Sequence, residues 1–175
     1  MKELAVHRGD SAEATPANGF EKFFRAEHAR LQQALYVVTG SDQEAQDLMQ
    51  EAFLRVWERW DRVQRMDEPT GYLYRTAMNA FRSRLRRAAR AARSLARLRP
   101  GPASQGFGGA DQRDEVARAL KTLSARQRAA IVLTELLDFD SAEAAAMLGV
   151  RPSTVRNLAA QARKALERIL EVGDE

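Results

Sequence analysis

Arginine is concentrated in one short segment near the middle of the chain. Residues 81–99 carry eight arginines and no acidic residue, although the net charge of all 175 residues is only +4. A positive field confined to one segment usually indicates a polyanionic partner. A disordered basic tail, a helix on a membrane surface and a helix that reads nucleic acid would all have such a composition.

The apolar residues within this segment favour the third of these structures. They recur every three or four residues, which predicts one narrow stripe on an ordered helix. The residues of this stripe are Phe81, Leu85, Ala88, Ala92 and Leu95. A membrane-surface helix needs bulky residues on its apolar side, whereas this segment is rich in alanine. Because no acid within the segment relieves the repulsion, DNA phosphates are the natural counter-charge. The arginines expected to bind DNA are Arg82, Arg86, Arg87, Arg90 and Arg93.

The start of the same helix offers groups that can read bases. Asn79 is a polar base reader, and Phe81 is an aromatic ring on which an unpaired base could stack. We therefore expect the arginines to hold the DNA backbone while Asn79 and Phe81 read a splayed base.

A second DNA reader is predicted in residues 141–160, SAEAAAMLGVRPSTVRNLAA. A helix-turn-helix needs a small residue where its helices touch and a glycine at the turn, here Ala145 and Gly149. Val155 and Leu158 would bury the second helix. Its exposed residues would face base edges in the major groove. These residues are Ser153, Thr154, Arg156, Asn157 and Gln161, and Lys164 lies further along the helix. The alternative is an alanine-rich helical hairpin whose polar residues are only solvated.

The elements that position these residues are all predicted to be helical. Capping pairs at Ser41/Glu44 and Ser124/Gln127 begin two of the helices. Prolines and glycines interrupt the helical pattern between residues 99 and 112. We therefore expect an all-α fold of two small domains, with a disordered N-terminus over 1–19, a first domain over 20–98, a flexible linker over 99–112 and a helix-turn-helix domain over 113–171.

The composition argues against catalysis and against bound cofactors or metals. The chain has no cysteine, and His7 and His28 have no neighbour at metal-ligand spacing. Paired carboxylates, glycine-rich phosphate loops and nucleophile motifs are also missing, so no enzymatic mechanism can be built. No secretion signal and no run of about 18 apolar residues occurs, which leads us to expect a cytoplasmic protein without a membrane partner.

Three motifs in order make the chain resemble a bacterial RNA polymerase sigma factor of the small extracytoplasmic-function (ECF) type. SDQEAQDLMQEAFLRVWERW resembles the family's core-binding helix, EPTGYLYRTAMNAFRSRLRR its downstream-element reader, and residues 123–166 its upstream-element reader. The resemblance implies binding to core polymerase and promoter DNA, promoter recognition and melting. Family members are commonly held inactive by an anti-sigma factor, which is a further partner to consider. The polymerase-facing residues that it implies are Leu48, Gln50, Glu51, Leu54 and Glu58.

Two other functions remain open at this point. The chain could be an autonomous helix-turn-helix regulator whose N-terminal helices form an effector or dimerisation domain. It could also be a helical interaction protein that binds no DNA, although the arginine segment argues against this. Aromatic residues at helical spacing usually belong to a core, and we expect Phe53 and Trp57 to do so.

Overall fold

The computed structural model describes residues 16–96, 119–120 and 122–173. Every regular element within these ranges is helical, which confirms the predicted all-α class. The elements are α1 (Pro16–Thr39), α2 (Asp42–Trp57), α3 (Trp60–Val63), α4 (Pro69–Ala96), α5 (Ala125–Ile131), a π-helical turn (Val132–Leu136), α6 (Ser141–Leu148) and α7 (Pro152–Gly173).

In the first domain, α1 and α4 both pack against α2. Gly40, with a φ of 77°, ends α1 in the left-handed region. Ser41 then caps α2, because its Oγ accepts a hydrogen bond from the Glu44 backbone N–H at 3.3 Å. Pro69 is the first residue of α4, where its missing N–H is tolerated. The turns that orient the basic helix therefore follow from local sequence.

The second domain contains the predicted helix-turn-helix in α6 and α7. Ser124 and Gln127 form a reciprocal capping box at the start of α5, as predicted. Asp140 and Glu143 form a second box at the start of α6, which the sequence analysis missed. Gly149 has a φ of 61° and closes α6. The turn predicted from this glycine is therefore confirmed.

The boundary predicted at the start of the first domain needs a correction. Helix α1 begins at Pro16, so residues 16–19 of the segment predicted to be disordered are helical, while residues 1–15 lie outside the described ranges. The predicted linker over 99–112 also lies outside them.

Phe53 is buried as expected, but Trp57 is 45% exposed. Trp57 is the last residue of α2, and Trp60 takes the buried position instead.

The two domains pack against each other in this structure. Helix α1 contacts α5, and α4 contacts α6. Across this boundary the rings of Tyr74 and Phe139 meet edge to face, with centroids 5.7 Å apart. Burial, followed by the negative charge of Glu27, raises the pKa of Tyr74 to about 12. The sequence predicts two domains on a flexible linker, and no local pattern in it indicates this contact.

Candidate nucleic-acid interface

The outer part of α4 presents a continuous basic surface. The apolar stripe predicted along this helix is buried only at its start. Phe81 is buried and Leu85 is half-buried, whereas Ala88 and Ala92 are exposed. From residue 86 to residue 93 every described side chain is exposed, so the helix projects from its domain. The four arginines on this part of the helix are Arg86, Arg87, Arg90 and Arg93. Their exposure leaves them accessible to DNA phosphates.

One arginine of the segment is neutralised from another helix. Arg84 lies 3.7 Å from an oxygen of Asp47 and 3.5 Å from an oxygen of Glu51, both on α2. The segment itself contains no acid, but acids on α2 relieve the repulsion at this residue. A periodic sequence does not show which acids a neighbouring helix brings close. Arg84 ties the basic helix to α2, and we do not count it among the phosphate-binding residues.

The base-reading residues at the start of α4 differ in their accessibility. Asn79 is exposed, but Phe81 is only 4% exposed. Arg82 is half-buried, and its guanidinium lies so close to Gly149 of the second domain that any side chain at that glycine would collide with it. This small accessible fraction of Phe81 is too little for a base to stack on, because the side chain belongs to the buried core cluster. The stacking role predicted for Phe81 requires a rearrangement.

The second reader, α7, has one buried and one exposed face. Val155, Ala159 and Ala162 are buried, and Leu158 is half-buried. The opposite face is exposed and carries all the residues predicted to read or hold DNA: Ser153, Thr154, Arg156, Asn157, Gln161 and Lys164. This division of faces is the one that a recognition helix in the major groove requires.

Two residues of this face make polar contacts within the domain. The Arg156 Nη1 donates to Ser141 Oγ at 3.2 Å, and Gln127 Nε2 donates to Gln161 Oε1 at 3.2 Å. Both contacts are exposed and involve flexible side chains, so a base edge could replace either of them. Contact with particular bases stays a prediction.

A cleft of about 590 Å³ lies between α4 and the second domain. Its floor is apolar and includes Phe81, Leu85 and Leu158, while arginines from α4 and α5 line its rim. None of its lining residues is acidic. The cleft therefore extends the basic surface of α4 to the second domain.

The surface of α2 that is predicted to face polymerase is partly apolar. Leu54 is 59% exposed and Trp57 45% exposed, and together with Phe20, Phe24 and Phe53 they line a shallow groove. The prediction that Trp57 belongs to the core is wrong, because it was based on helical spacing alone. The predicted residues Gln50 and Glu58 are exposed, and Glu51 is half-buried beside Arg55 and Arg84.

Leu48 does not lie on this surface. Its side chain is fully buried in the core of the first domain, so it could reach a partner only if α2 left that core. We interpret it as a residue that supports the surface from within.

The described residues contain no group of three or more histidine, cysteine, aspartate or glutamate side chains that could hold a metal ion. In the same ranges, no helix is both long enough and apolar enough to cross a membrane.

Comparison with known proteins identifies the family. A family model described as Sigma-70 region 2 matches residues 23–91, and one described as Sigma-70, region 4 matches residues 113–166. The ECF RNA polymerase sigma factor SigM of Mycobacterium tuberculosis is 31% identical over 152 residues, covering 86% of this chain and 76% of that relative. The chain belongs to the ECF sigma factors of the sigma-70 family. SigG of the same species is 27% identical, and that match covers 77% of this sigma factor and 44% of the relative.

Two solved structures resemble this sigma factor over most of its length. The sigma factor RpoE in complex with the anti-sigma factor NepR, from Bartonella quintana, is 24% identical with a TM-score of 0.67, covering 87% of this chain and 97% of that one. CnrH in complex with the cytosolic domain of CnrY is 26% identical with a TM-score of 0.57, covering 90% of this chain and 95% of that one. The first of these likenesses bears on the fold alone.

The family membership decides between the functions left open by the sequence. The protein is an RNA polymerase-binding sigma factor that directs promoter recognition. The alternative of an autonomous regulator is not favoured, because the two domains of this chain match regions 2 and 4 of sigma factors in that order. The basic helix α4 lies within the region 2 match, and the helix-turn-helix lies within the region 4 match.

Proposed function

We propose a division of labour among three surfaces of this sigma factor. The α2 groove around Leu54 and Trp57 binds core polymerase, the start of α4 reads and opens the downstream element, and the exposed face of α7 reads the upstream element. The observation that carries this proposal is the exposure of two separate polar readers, α4 and α7, on a chain that also exposes an apolar groove. Apolar side chains exposed together often mark a protein-binding site.

The arginines of α4 and the polar residue at its start act at different stages. Arg86, Arg87, Arg90 and Arg93 hold duplex phosphates without reading sequence. Asn79 binds a base that has left the stack. Phe81 is buried, so Phe81→Ala would leave a cavity and destabilise the protein by about 3–5 kcal/mol. An assay of opening should therefore rely on Asn79, because loss of activity in Phe81→Ala could reflect unfolding.

The wider setting follows from these partners. Because polymerase and promoter DNA are cytoplasmic in bacteria, we propose that the protein acts in the cytoplasm and performs no catalysis of its own. An anti-sigma factor is a further proposed partner, since the resemblance to ECF sigma factors implies one and CnrH, which is 26% identical, was solved in complex with the cytosolic domain of CnrY. It would be found by testing whether a co-purified protein inhibits transcription in the assay below.

Co-purification with core polymerase, followed by transcription from a randomised promoter library, tests the proposal. The parent should bind core polymerase and select two separated sequence elements. Leu54→Asp should weaken binding to core, because it places a charge in the apolar groove. Ala26→Asp is a matched control, since it adds the same charge to an exposed position on α1.

Two results would contradict the proposal. The assignment of the groove would be wrong if Leu54→Asp bound core polymerase as tightly as Ala26→Asp. The assignment of the two readers would be wrong if the selected promoters shared only one element.

A further inference from the structure

The cleft beside α4 has the size and the apolar floor of a small-molecule site. Its volume of about 590 Å³ lies within the range of about 300–1,000 Å³ that is usual for ligand pockets. The floor takes an apolar side chain from each of α4, α5, α6 and α7, namely Leu85, Ala129, Leu148 and Leu158. All four are buried or half-buried. Such a floor favours contact with the apolar part of a ligand over contact with water.

The rim of the same cleft is positively charged without any counter-charge. No lining residue is acidic, and the rim is formed by Arg82, Arg86, Arg90, Arg93 and Arg126. None of these arginines forms an ion pair within the part of the chain that the structure describes. A concave surface lined by one sign of charge concentrates ligands of the opposite sign. Because the planar guanidinium matches phosphate and carboxylate groups, an anion of this kind suits the rim.

Arg82 shows that the positive charge is more than a solvated helix face. Its side chain is half-buried, and its guanidinium lies against Gly149 at the end of α6. Arg84, two residues along the same helix, is also half-buried, but the chain supplies it with Asp47 and Glu51. A charge that is partly removed from water and has no counter-ion is unfavourable. An anion bound in the cleft would remove this penalty at Arg82.

We propose that the cleft binds a small amphiphilic anion, which consists of an apolar body and a phosphate or carboxylate group, and that this anion competes with DNA for the arginines of α4. The apolar body lies on the floor, and the acidic group meets Arg82 from the first domain and Arg126 from the second. Only the competition rests on the proposed function, since it requires that Arg86, Arg90 and Arg93 hold DNA phosphates. The binding itself needs neither polymerase nor DNA.

Isothermal titration calorimetry of the full chain, without polymerase or DNA, tests the binding. The probe is decyl phosphate below its micelle concentration, and the parent should bind one molecule per chain. Decyltrimethylammonium keeps the apolar body and reverses the charge, whereas inorganic phosphate keeps the charge and lacks the body. Both should bind at least several-fold more weakly. Equal affinity for either one, or unsaturable uptake of many decyl phosphate molecules, would show an adventitious additive only and overturn the proposal.

Two pairs of variants locate the site. Ala88 and Ala89 are neighbouring exposed residues of α4, but only Ala89 lines the cleft. Ala89→Glu places a carboxylate among the arginines and should weaken decyl phosphate several-fold, whereas Ala88→Glu adds the same charge outside and should bind like the parent. Arg126→Gln should also weaken binding, and Arg168→Gln removes the same charge from an exposed position of α7 outside the cleft.

Circular dichroism checks that all four variants keep their helices, so that a loss of affinity reports on the cleft. The site is refuted if folded Ala89→Glu binds decyl phosphate as tightly as Ala88→Glu. It is equally refuted if Arg126→Gln binds the probe as tightly as Arg168→Gln.

The competition is measured by fluorescence anisotropy of a labelled duplex of unrelated sequence. Saturating decyl phosphate should lower the duplex affinity of the parent and of Ala88→Glu several-fold, and it should have little effect on Ala89→Glu. An unchanged duplex affinity in the saturated parent would overturn the competition. Failure of the parent to bind the duplex without the probe would instead contradict the proposed function, and calorimetry would still decide whether the cleft binds the anion.

Discussion

Neutralising arginines on α4 tests whether its outer face holds DNA phosphates. Arg90 and Arg93 are exposed, and neither forms an ion pair in the part of the chain that the structure describes. Each duplex phosphate contact contributes about 0.9 to the slope of log affinity against log salt. The double variant Arg90→Gln/Arg93→Gln should therefore lower this slope by about 1.8. Between about 50 mM and about 200 mM salt, the parent should lose about tenfold more affinity than the variant.

Arg84→Gln is the matched control for this measurement. Its guanidinium already lies beside Asp47 and Glu51, so removing its charge should leave the slope close to that of the parent. The assay is fluorescence anisotropy of a labelled duplex of unrelated sequence, titrated at several salt concentrations. A parental slope in the double variant would refute phosphate binding by Arg90 and Arg93. An equal fall in Arg84→Gln would show that the slope follows net charge and not particular contacts.

Three further predictions concern other parts of the molecule. Arg156→Ala and Asn157→Ala should each weaken discrimination at particular upstream base pairs by about 1–3 kcal/mol. Lys164→Ala should instead lower affinity evenly across sequences or have no effect, and base-substitution profiles of the holoenzyme distinguish these outcomes. Gly149→Ala should destabilise the fold by about 1–2 kcal/mol in thermal unfolding, because its φ of 61° suits alanine poorly, and an unchanged melting temperature would contradict this. Burial raises the pKa of Tyr74 to about 12 from an ordinary 10.0, so the free energy of unfolding should fall as the pH rises through this interval. The fall should be less steep in Tyr74→Phe, and equal falls with pH in the two proteins, measured by denaturant unfolding, would contradict this.

The features that the sequence predicted are those set by a few neighbouring residues. Gly149 marked the end of α6 because a left-handed residue is needed there, and Ser124 with Gln127 marked the start of α5. The exposed and buried faces of α7 followed from helical periodicity. Such signals require no knowledge of how distant segments pack, and they were enough to predict the helical fold and the position of the second reader.

The features that it missed depend on contacts between distant segments. Arg84 meets acids from α2, and Phe81 is buried in a core cluster that includes residues of both domains. The π-helical turn Val132–Leu136 and the positive φ of Asp138 directly precede Phe139, which contacts Tyr74, and no local pattern indicates either feature. Trp57 was assigned to the core by its spacing, although the end of α2 leaves it at the surface.

Permanganate footprinting of thymines in a selected promoter tests most directly whether this protein directs promoter opening through α4. Holoenzyme with the parent protein should make thymines at the downstream element reactive, and core polymerase alone should not. Holoenzyme with Asn79→Ala should bind the duplex promoter but leave those thymines protected, and a pre-melted template should restore part of its transcription. Parental reactivity with Asn79→Ala would contradict the role of this residue, and no reactivity with the parent would contradict the account of promoter opening.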